Sequence, residues 1–232
     1  MRVGEIYGTT LEKILNREHN IYIGISMGNR YFSKENIEAY IEWGLRCTRE
    51  NLIVFIADSI QSYNYQAFRG LTEKEATVKA ADISIQYKNM VKRIINRMKN
   101  MGKLQKEIPI IGFDTAADND YYRQNREKIQ QEYHNNPRFR DAIIDLMKQN
   151  VKAITQETTR EQLDIAANYL LLEIPLQYHM THEGTTYDLI PYPGVSTAKF
   201  LDRLQNKEIF PELAEKLGLG IQRLAQIELY VK

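Results

Sequence analysis

The stretch Gly24-Ile25-Ser26-Met27-Gly28 sets a serine between two glycines at the end of an apolar run. This is the G-x-S-x-G pattern of a sharp strand-to-helix turn that exposes a nucleophilic hydroxyl. A small residue in a tight turn fits the same five residues, so the serine takes chemical meaning only from partners elsewhere. Tyr169 and Glu173 are the first candidates, because a spacing of four projects both from one helix face, among Ala166, Leu170 and Leu176. A carboxylate in such company is desolvated unless paired, and its pKa rises toward the range useful for moving a proton or holding an ammonium group. An exposed glutamate near a helix end is the alternative. Tyr192 stands between Pro191 and Pro193, whose rings fix φ on either side, so one phenol is presented from a rigid turn.

The histidines offer a competing site. Ser26 with His179 or His182 and Asp58 or Asp114 would form the triad of a serine hydrolase or acyltransferase. Against it, the serine of an α/β-hydrolase follows several strands of its sheet, whereas Ser26 follows the first strand that the pattern predicts. His179-Met-Thr-His182-Glu183 lacks the i,i+4 spacing of a helical zinc motif and a third ligand, so no metal and no cofactor are expected. Cys47 is the single cysteine. It excludes an internal disulfide, falls on an apolar-periodic helix beside Trp43 and Leu45, and reads as a buried structural thiol of a reducing, cytoplasmic protein. No run approaches the roughly 18 apolar residues of a membrane span, and a soluble, unprocessed chain is expected.

These residues need a frame. Three nearly continuous apolar runs, 21–25, 52–57 and 108–113, suit strands covered on both faces, and helical patterns separate them. The expected fold is α/β: a Rossmann-like parallel sheet with helices on both faces and a helix-rich C-terminal half, in one domain over 1–232. Helices are predicted from Ser33 as N-cap, over 72–101 with Gly102 as its stop, and near 121–134, 137–154, 159–178, 196–205 and 211–229, with a short strand at 187–190. Ligands of such sheets sit beyond the carboxyl ends of the strands, where Ser26, Asp58 and Asp114 all fall. For the two aspartates, helix capping or a turn is the preferred role.

A formal net charge of +1 conceals a local bias. Between Ile83 and Lys106 the chain carries Lys88, Lys92, Arg93, Arg97, Lys99, Lys103 and Lys106 and no acidic residue, so the remainder is net acidic. Tyr87, Val91, Ile94 and Met98 share one face of this helix, with the cations on its flanks. Ordinary solvated faces mix signs, whereas a purely basic one suits a phosphate backbone gripped without base reading, as in a carrier RNA. A non-enzymatic RNA-binding module would need this helix alone.

Taken in order, four patterns resemble the cyclodipeptide synthase family. They are Gly24-Ile-Ser26-Met-Gly-Asn29 with Tyr31-Phe32-Ser33, Asn64-Tyr65-Gln-Ala67-Phe-Arg-Gly70, Tyr169-x-x-x-Glu173-x-Pro175, and Tyr192-Pro193. The resemblance spans most of the chain. It implies a fold like the catalytic domain of class I tyrosyl- and tryptophanyl-tRNA synthetases without their ATP machinery, and neither H-I-G-H nor K-M-S-K-S occurs in the chain. It implies an ATP-independent aminoacyltransferase that draws on two aminoacyl-tRNAs and releases a 2,5-diketopiperazine by ping-pong acyl transfer through a seryl aminoacyl-enzyme. By the same resemblance Ser26 is the nucleophile, Tyr169 and Glu173 hold and deprotonate the ammonium, and Tyr192 assists later proton transfers. Tyr22, Gly24, Asn29, Val54, Leu176, Gln177 and Pro193 are expected to contact substrate, and Lys88, Lys92, Arg93, Arg97, Lys99 and Lys103 to contact tRNA. Asn29 follows one pattern within the family and Pro193 another. No DNA or membrane partner is expected, and a monomer is. The other two readings are the Ser26-histidine hydrolase and a tRNA-binding synthetase relative without activity.

Overall fold

The computed structural model describes residues 1–219 and 224–231. Its strands are β1 (Arg2–Tyr7), β2 (Ile21–Ser26), β3 (Leu52–Ala57), β4 (Ile110–Gly112), β5 (Met180–His182), β6 (Thr185–Tyr187), β7 (Leu189–Tyr192) and β8 (Ala225–Tyr230). The helices are α1 (Leu11–Leu15), α2 (Lys34–Cys47), α3 (Gln61–Arg69), α4 (Glu73–Asn100), α5 (Phe113–Ala116), α6 (Asp120–Asn135), α7 (Pro137–Asn150), α8 (Arg160–Tyr178), α9 (Ser196–Gln205) and α10 (Pro211–Lys216). Six strands form one sheet in the order β1-β8-β7-β2-β3-β4, and β5 pairs with β6 in a separate hairpin. From β8 to β4 all pairs are parallel, while β1 joins β8 antiparallel at one edge. The α/β Rossmann-like architecture read from the sequence is therefore correct, with an antiparallel edge added. No described helix is long and apolar enough to cross a membrane.

Side-chain alternation divides the sheet into two cores. Ile21, Ile23 and Ile25 of β2 pack with Leu52, Val54 and Ile56 of β3 against α2 and α4. Tyr22 with Ile53, Phe55 and Ala57 faces α8 and its neighbours α3, α6 and α7. All six residues of β3 are buried, which explains its unbroken apolar sequence. On β2 only Gly24 and Ser26 are half-exposed, both toward α8. The apolar layer is thus interrupted where the strand meets the candidate nucleophile.

Helix ends follow their caps. Thr72 and Thr159 each form a capping box, with Glu75 and Gln162, and Ser33 accepts from the Asn36 N–H. Beyond Met101, Gly102 takes φ 69°, a left-handed turn that ends α4. Three expectations are corrected. The predicted helix over 211–229 stops at Lys216; residues 220–223 of it lie outside the described residues, and Ala225–Tyr230 is a strand whose alternate residues Ala225, Ile227 and Leu229 are buried. The run 108–113 forms only the three-residue β4, because Phe113 begins α5. Pro137 opens α7, which ends at Asn150 rather than 154.

Asp58, at the carboxyl end of β3, ties these layers together. Its Oδ1 accepts from the backbone N–H of Ser59 (3.0 Å) and Phe113 (2.7 Å), and its Oδ2 from Ser84 Oγ (3.0 Å) and Lys88 Nζ (2.7 Å). Burial would raise its pKa, but the bonds from Lys88, Phe113 and Ser59 outweigh it and hold the carboxyl below its usual range. A methyl group on Gly112 would lie 2.4 Å from Oδ2, so only glycine lets β4 approach. Asp58→Ala should cost about 3 kcal/mol of unfolding free energy in a urea titration, since it leaves an ammonium and two N–H groups without their acceptor. Lys92→Ala, on the exposed face of the same helix, should change it by less than about 0.5 kcal/mol.

Candidate active site

Three distant parts of the chain converge at the end of β2. Ser26 is the last residue of that strand; the chain then turns through Gly28 at φ 94°, closed by the Asn29 N–H donating to the Ser26 carbonyl (3.2 Å). Asn29 Oδ1 accepts from the Tyr31 N–H (3.0 Å), and Phe32 packs its ring 5.6 Å from that of Tyr192. The Tyr192 hydroxyl donates to Ser26 Oγ (3.1 Å), and the Tyr169 hydroxyl lies 3.4 Å from the same oxygen. The Asn29 side chain also bonds Tyr192. Ser26 Oγ is therefore held between two phenols, one from α8 and one from the end of β7.

Electrostatics follow from burial. Tyr169 is pushed well above the usual phenol value by desolvation and then by the Glu173 charge, and Tyr192 is raised by desolvation as well, so both phenols stay protonated donors. Glu173, one turn along α8 from Tyr169, is raised to about 7 by desolvation, against which a hydrogen bond from Gln177 acts. Gln177 Oε1 in turn accepts from Gln226 Nε2 (3.1 Å), so an amide chain runs from β8 through α8 to the carboxylate. A buried carboxylate that titrates near neutrality can orient a cation and accept its proton.

The described hydrogen bonds of the Ser26 hydroxyl go to phenols and to no histidine. His19 is engaged by Asp188 (2.9 Å) and Thr9 (2.8 Å), His179 packs against Tyr121 with ring centroids 4.2 Å apart and planes tilted by 39°, and His182 lies 3.9 Å from Glu183. Asp114 accepts from Ser59 Oγ and lines a groove of about 970 Å³ with Arg123, Arg126 and His182. Of the residues expected to contact substrate, Tyr22 and Leu176 are buried in the α8-side core and Gly24 and Gln177 are half-buried there; Pro193 is half-buried just after Tyr192. Val54 is a correction: alternation puts it in the α2–α4 core, and Phe55, paired with Gly24, occupies the Ser26 face instead. A continuous apolar run carries no sign of which residues face which way. Gln226 was missed because its segment was read as helix.

The basic helix is also less uniform than its sequence. Lys88 turns inward to Asp58, Arg97 pairs with Glu38 and Lys103 with Glu42 (2.8 Å), both on α2, and Lys99 lies 3.4 Å from Glu107. Lys92 and Arg93 make no ion pair among the described residues. Arg93 lines a groove of about 550 Å³ with Lys34, Gln86, Asn89, Met90 and Arg97.

With this geometry in view, comparison places the chain. Residues 5–181 match the family model described as "Cyclodipeptide synthase". The chain belongs to the cyclodipeptide synthase family. It is 24% identical over 179 residues to the cyclo(L-leucyl-L-phenylalanyl) synthase of Streptomyces noursei, covering 74% of this chain and 71% of that one. Its fold matches a cyclodipeptide synthase from Bacillus thermoamylovorans with a TM-score of 0.75 at 19% identity, over 95% of this chain and 92% of the other. It also matches the Candidatus Glomeribacter gigasporarum enzyme, bound to Phe-tRNAPhe, at TM-score 0.59 and 19% identity, over 92% and 88% of the two chains.

The raised pKa of Glu173 has a measurable consequence. Between about pH 4.5 and 7 the folded chain keeps a proton on Glu173 that the unfolded chain releases, so stability should fall with rising pH across that window and level off above it. The shift corresponds to roughly 3 kcal/mol at most. Glu173→Gln should flatten the decline and be the more stable protein at pH 8, as read by urea midpoints across the pH range.

Proposed function

We propose that the protein is an ATP-independent, tRNA-dependent cyclodipeptide synthase working through a Ser26 aminoacyl-enzyme. The observation that carries this reading is Ser26 Oγ bracketed by the phenols of Tyr169 and Tyr192, with the desolvated carboxylate of Glu173 one turn along α8 from Tyr169. Among the described residues, no base strong enough to activate serine toward an amide or a simple ester bonds its hydroxyl. An aminoacyl-tRNA, however, is already an activated ester, and moving its acyl group to serine exchanges one ester for another. The serine oxygen bonds the acyl carbon, the bond to the ribose oxygen breaks, and the serine proton passes to that oxygen.

The second aminoacyl-tRNA must then attack with a neutral amine. A free α-amino group has a pKa near ~8, and Glu173 at about 7 is close enough to take its proton without a large mismatch. Attack on the seryl ester forms the first amide and returns Ser26 to its hydroxyl, leaving the dipeptide esterified to the second tRNA. Its free amine attacks that ester, closes the diketopiperazine and releases the tRNA, with Tyr192 placed to relay protons. The relative bound to Phe-tRNAPhe supports aminoacyl-tRNA as the substrate class. Such substrates put the enzyme in the cytoplasm. The Ser26-histidine hydrolase is disfavoured because no described bond of Ser26 reaches a histidine.

Expression in a bacterium with mass spectrometry of the medium tests this reading. A cyclic dipeptide should accompany the wild type and vanish with Ser26→Ala; an unchanged product from Ser26→Ala would overturn it. The tRNA surface makes a graded prediction. The pair Lys92→Ala, Arg93→Ala should lower the slope of log affinity against log salt by about 2, because each cation lost releases one counterion fewer. Lys103→Ala, whose charge is already met by Glu42, should change it less.

A further inference from the structure

β8 places Ala225, Ile227 and Leu229 in the α2–α4 core and turns Gln226 to the opposite face of the sheet. Gln226 is only 6% exposed, at a position where an apolar side chain would be buried at lower cost. Its backbone is held from both sides, paired with Ile190 of β7 and Tyr7 of β1. Its Nε2 donates to Oε1 of Gln177 (3.1 Å), in the last turn of α8, and the Gln177 amide bonds Glu173 one turn earlier. Gln226 lies beyond residues 5–181, the stretch that matches the family model.

The direction of this chain is fixed by its acceptor. An ionised carboxylate has no hydrogen to give, so Gln177 must offer Glu173 its NH2 group and keep its oxygen for the other side. With Gln226 donating to that oxygen, a reversed Gln177 amide would set NH2 against NH2 at one end and oxygen against carboxylate at the other. The titratable groups that face Glu173 are phenols: Tyr22 from β2, Tyr169 from α8 itself and Tyr192 from the end of β7. Desolvation raises all three, so they stay neutral, and among the described residues no cation joins Gln177 in favouring the charged carboxylate. The ionised form of Glu173 leans on one amide whose orientation is set from β8.

We propose that Gln226 is a positioning residue of the reaction: by donating to the Gln177 oxygen it keeps the Gln177 NH2 group on Glu173, and so holds that carboxylate ready to take the proton of the incoming ammonium. This rests on the acyl-transfer reading above. The proton leaves the ammonium for the carboxylate oxygen, and the neutral amine attacks the seryl ester. Gln226 acts on that step through Gln177.

The test compares the purified wild type with Gln226→Met, which keeps the length and removes the donor, with Gln177→Met and with the double variant. Urea midpoints across the pH range read Glu173 without substrate, and cyclic dipeptide formation from bulk aminoacylated tRNA reads it at work. In Gln226→Met the fall of stability with pH, which ends near 7 in the wild type, should run on to about 8, because a carboxylate that loses a donor binds its proton more tightly. Product formation should be roughly tenfold slower than wild type at pH 6, with the deficit closing as pH rises. Gln177→Met should shift both readouts at least as far, and the double variant no farther than Gln177→Met alone, since the two residues act through one bond. An unmoved pH dependence, a slowing equal at all pH values as a packing defect gives, or additive shifts in the double variant would overturn the proposal alone. If Gln226→Met does not fold, Gln226→Asn, whose amide is one methylene shorter, is read against the same outcomes. No cyclic dipeptide from the wild type at any pH would overturn the synthase reading, and this inference with it.

Discussion

Desolvation of the half-buried Glu173 carboxylate is the constraint around which the site is arranged. Its raised pKa means that the charged form is opposed by its surroundings, and the donors supplied by the fold are few. Gln177 gives one hydrogen bond, and Gln226 on β8 orients Gln177 by donating to its oxygen. The phenols of Tyr22, Tyr169 and Tyr192 all feel the same charge, which helps keep them protonated. A site short of one cation is suited to a substrate that brings an ammonium group.

The fold meets that constraint by placing rigid elements around a gap. β2 gives up side-chain volume at Gly24 and apolar character at Ser26, while the neighbouring β3 remains wholly buried. α8 lies across this face and delivers Tyr169 and Glu173 from successive turns, and β7 ends in Tyr192 beside the turn through Asn29. On the opposite face the same sheet is sealed by α2 and α4, with Asp58 joining the end of β3 to α4 and to the start of α5. The face sealed by α2 and α4 supports the sheet, while α8 on the other face carries the chemistry.

Much of this was legible from local sequence, and what was not has a physical cause. The serine turn and the i,i+4 pair on α8 are short-range patterns whose local conformation follows from their own residues, whereas the rigid turn expected around Tyr192 is a strand end: Pro191 and Tyr192 pair with Ile227 and Glu228 of β8. Facing was harder. In a strand buried on both sides nothing in the composition tells Val54 from Phe55, and only the register with Gly24 decides. Charge pairing across elements was hidden for the same reason: Glu38 and Glu42 lie far in sequence from Arg97 and Lys103, and Lys88 finds its partner on β3's end. The strand Ala225–Tyr230 alternates apolar and polar residues at period two, a signal obscured by the helical pattern of the residues before it.

Rapid acid quench of the wild-type protein with labelled aminoacyl-tRNA, followed by proteolysis and tandem mass spectrometry, addresses the role of the bracketed serine directly. The label should appear as an ester on Ser26 within the first turnover and disappear as cyclic dipeptide forms. Cyclic dipeptide accumulating while the Ser26 peptide stays unmodified, or an acyl group mapped to a different residue, would contradict it.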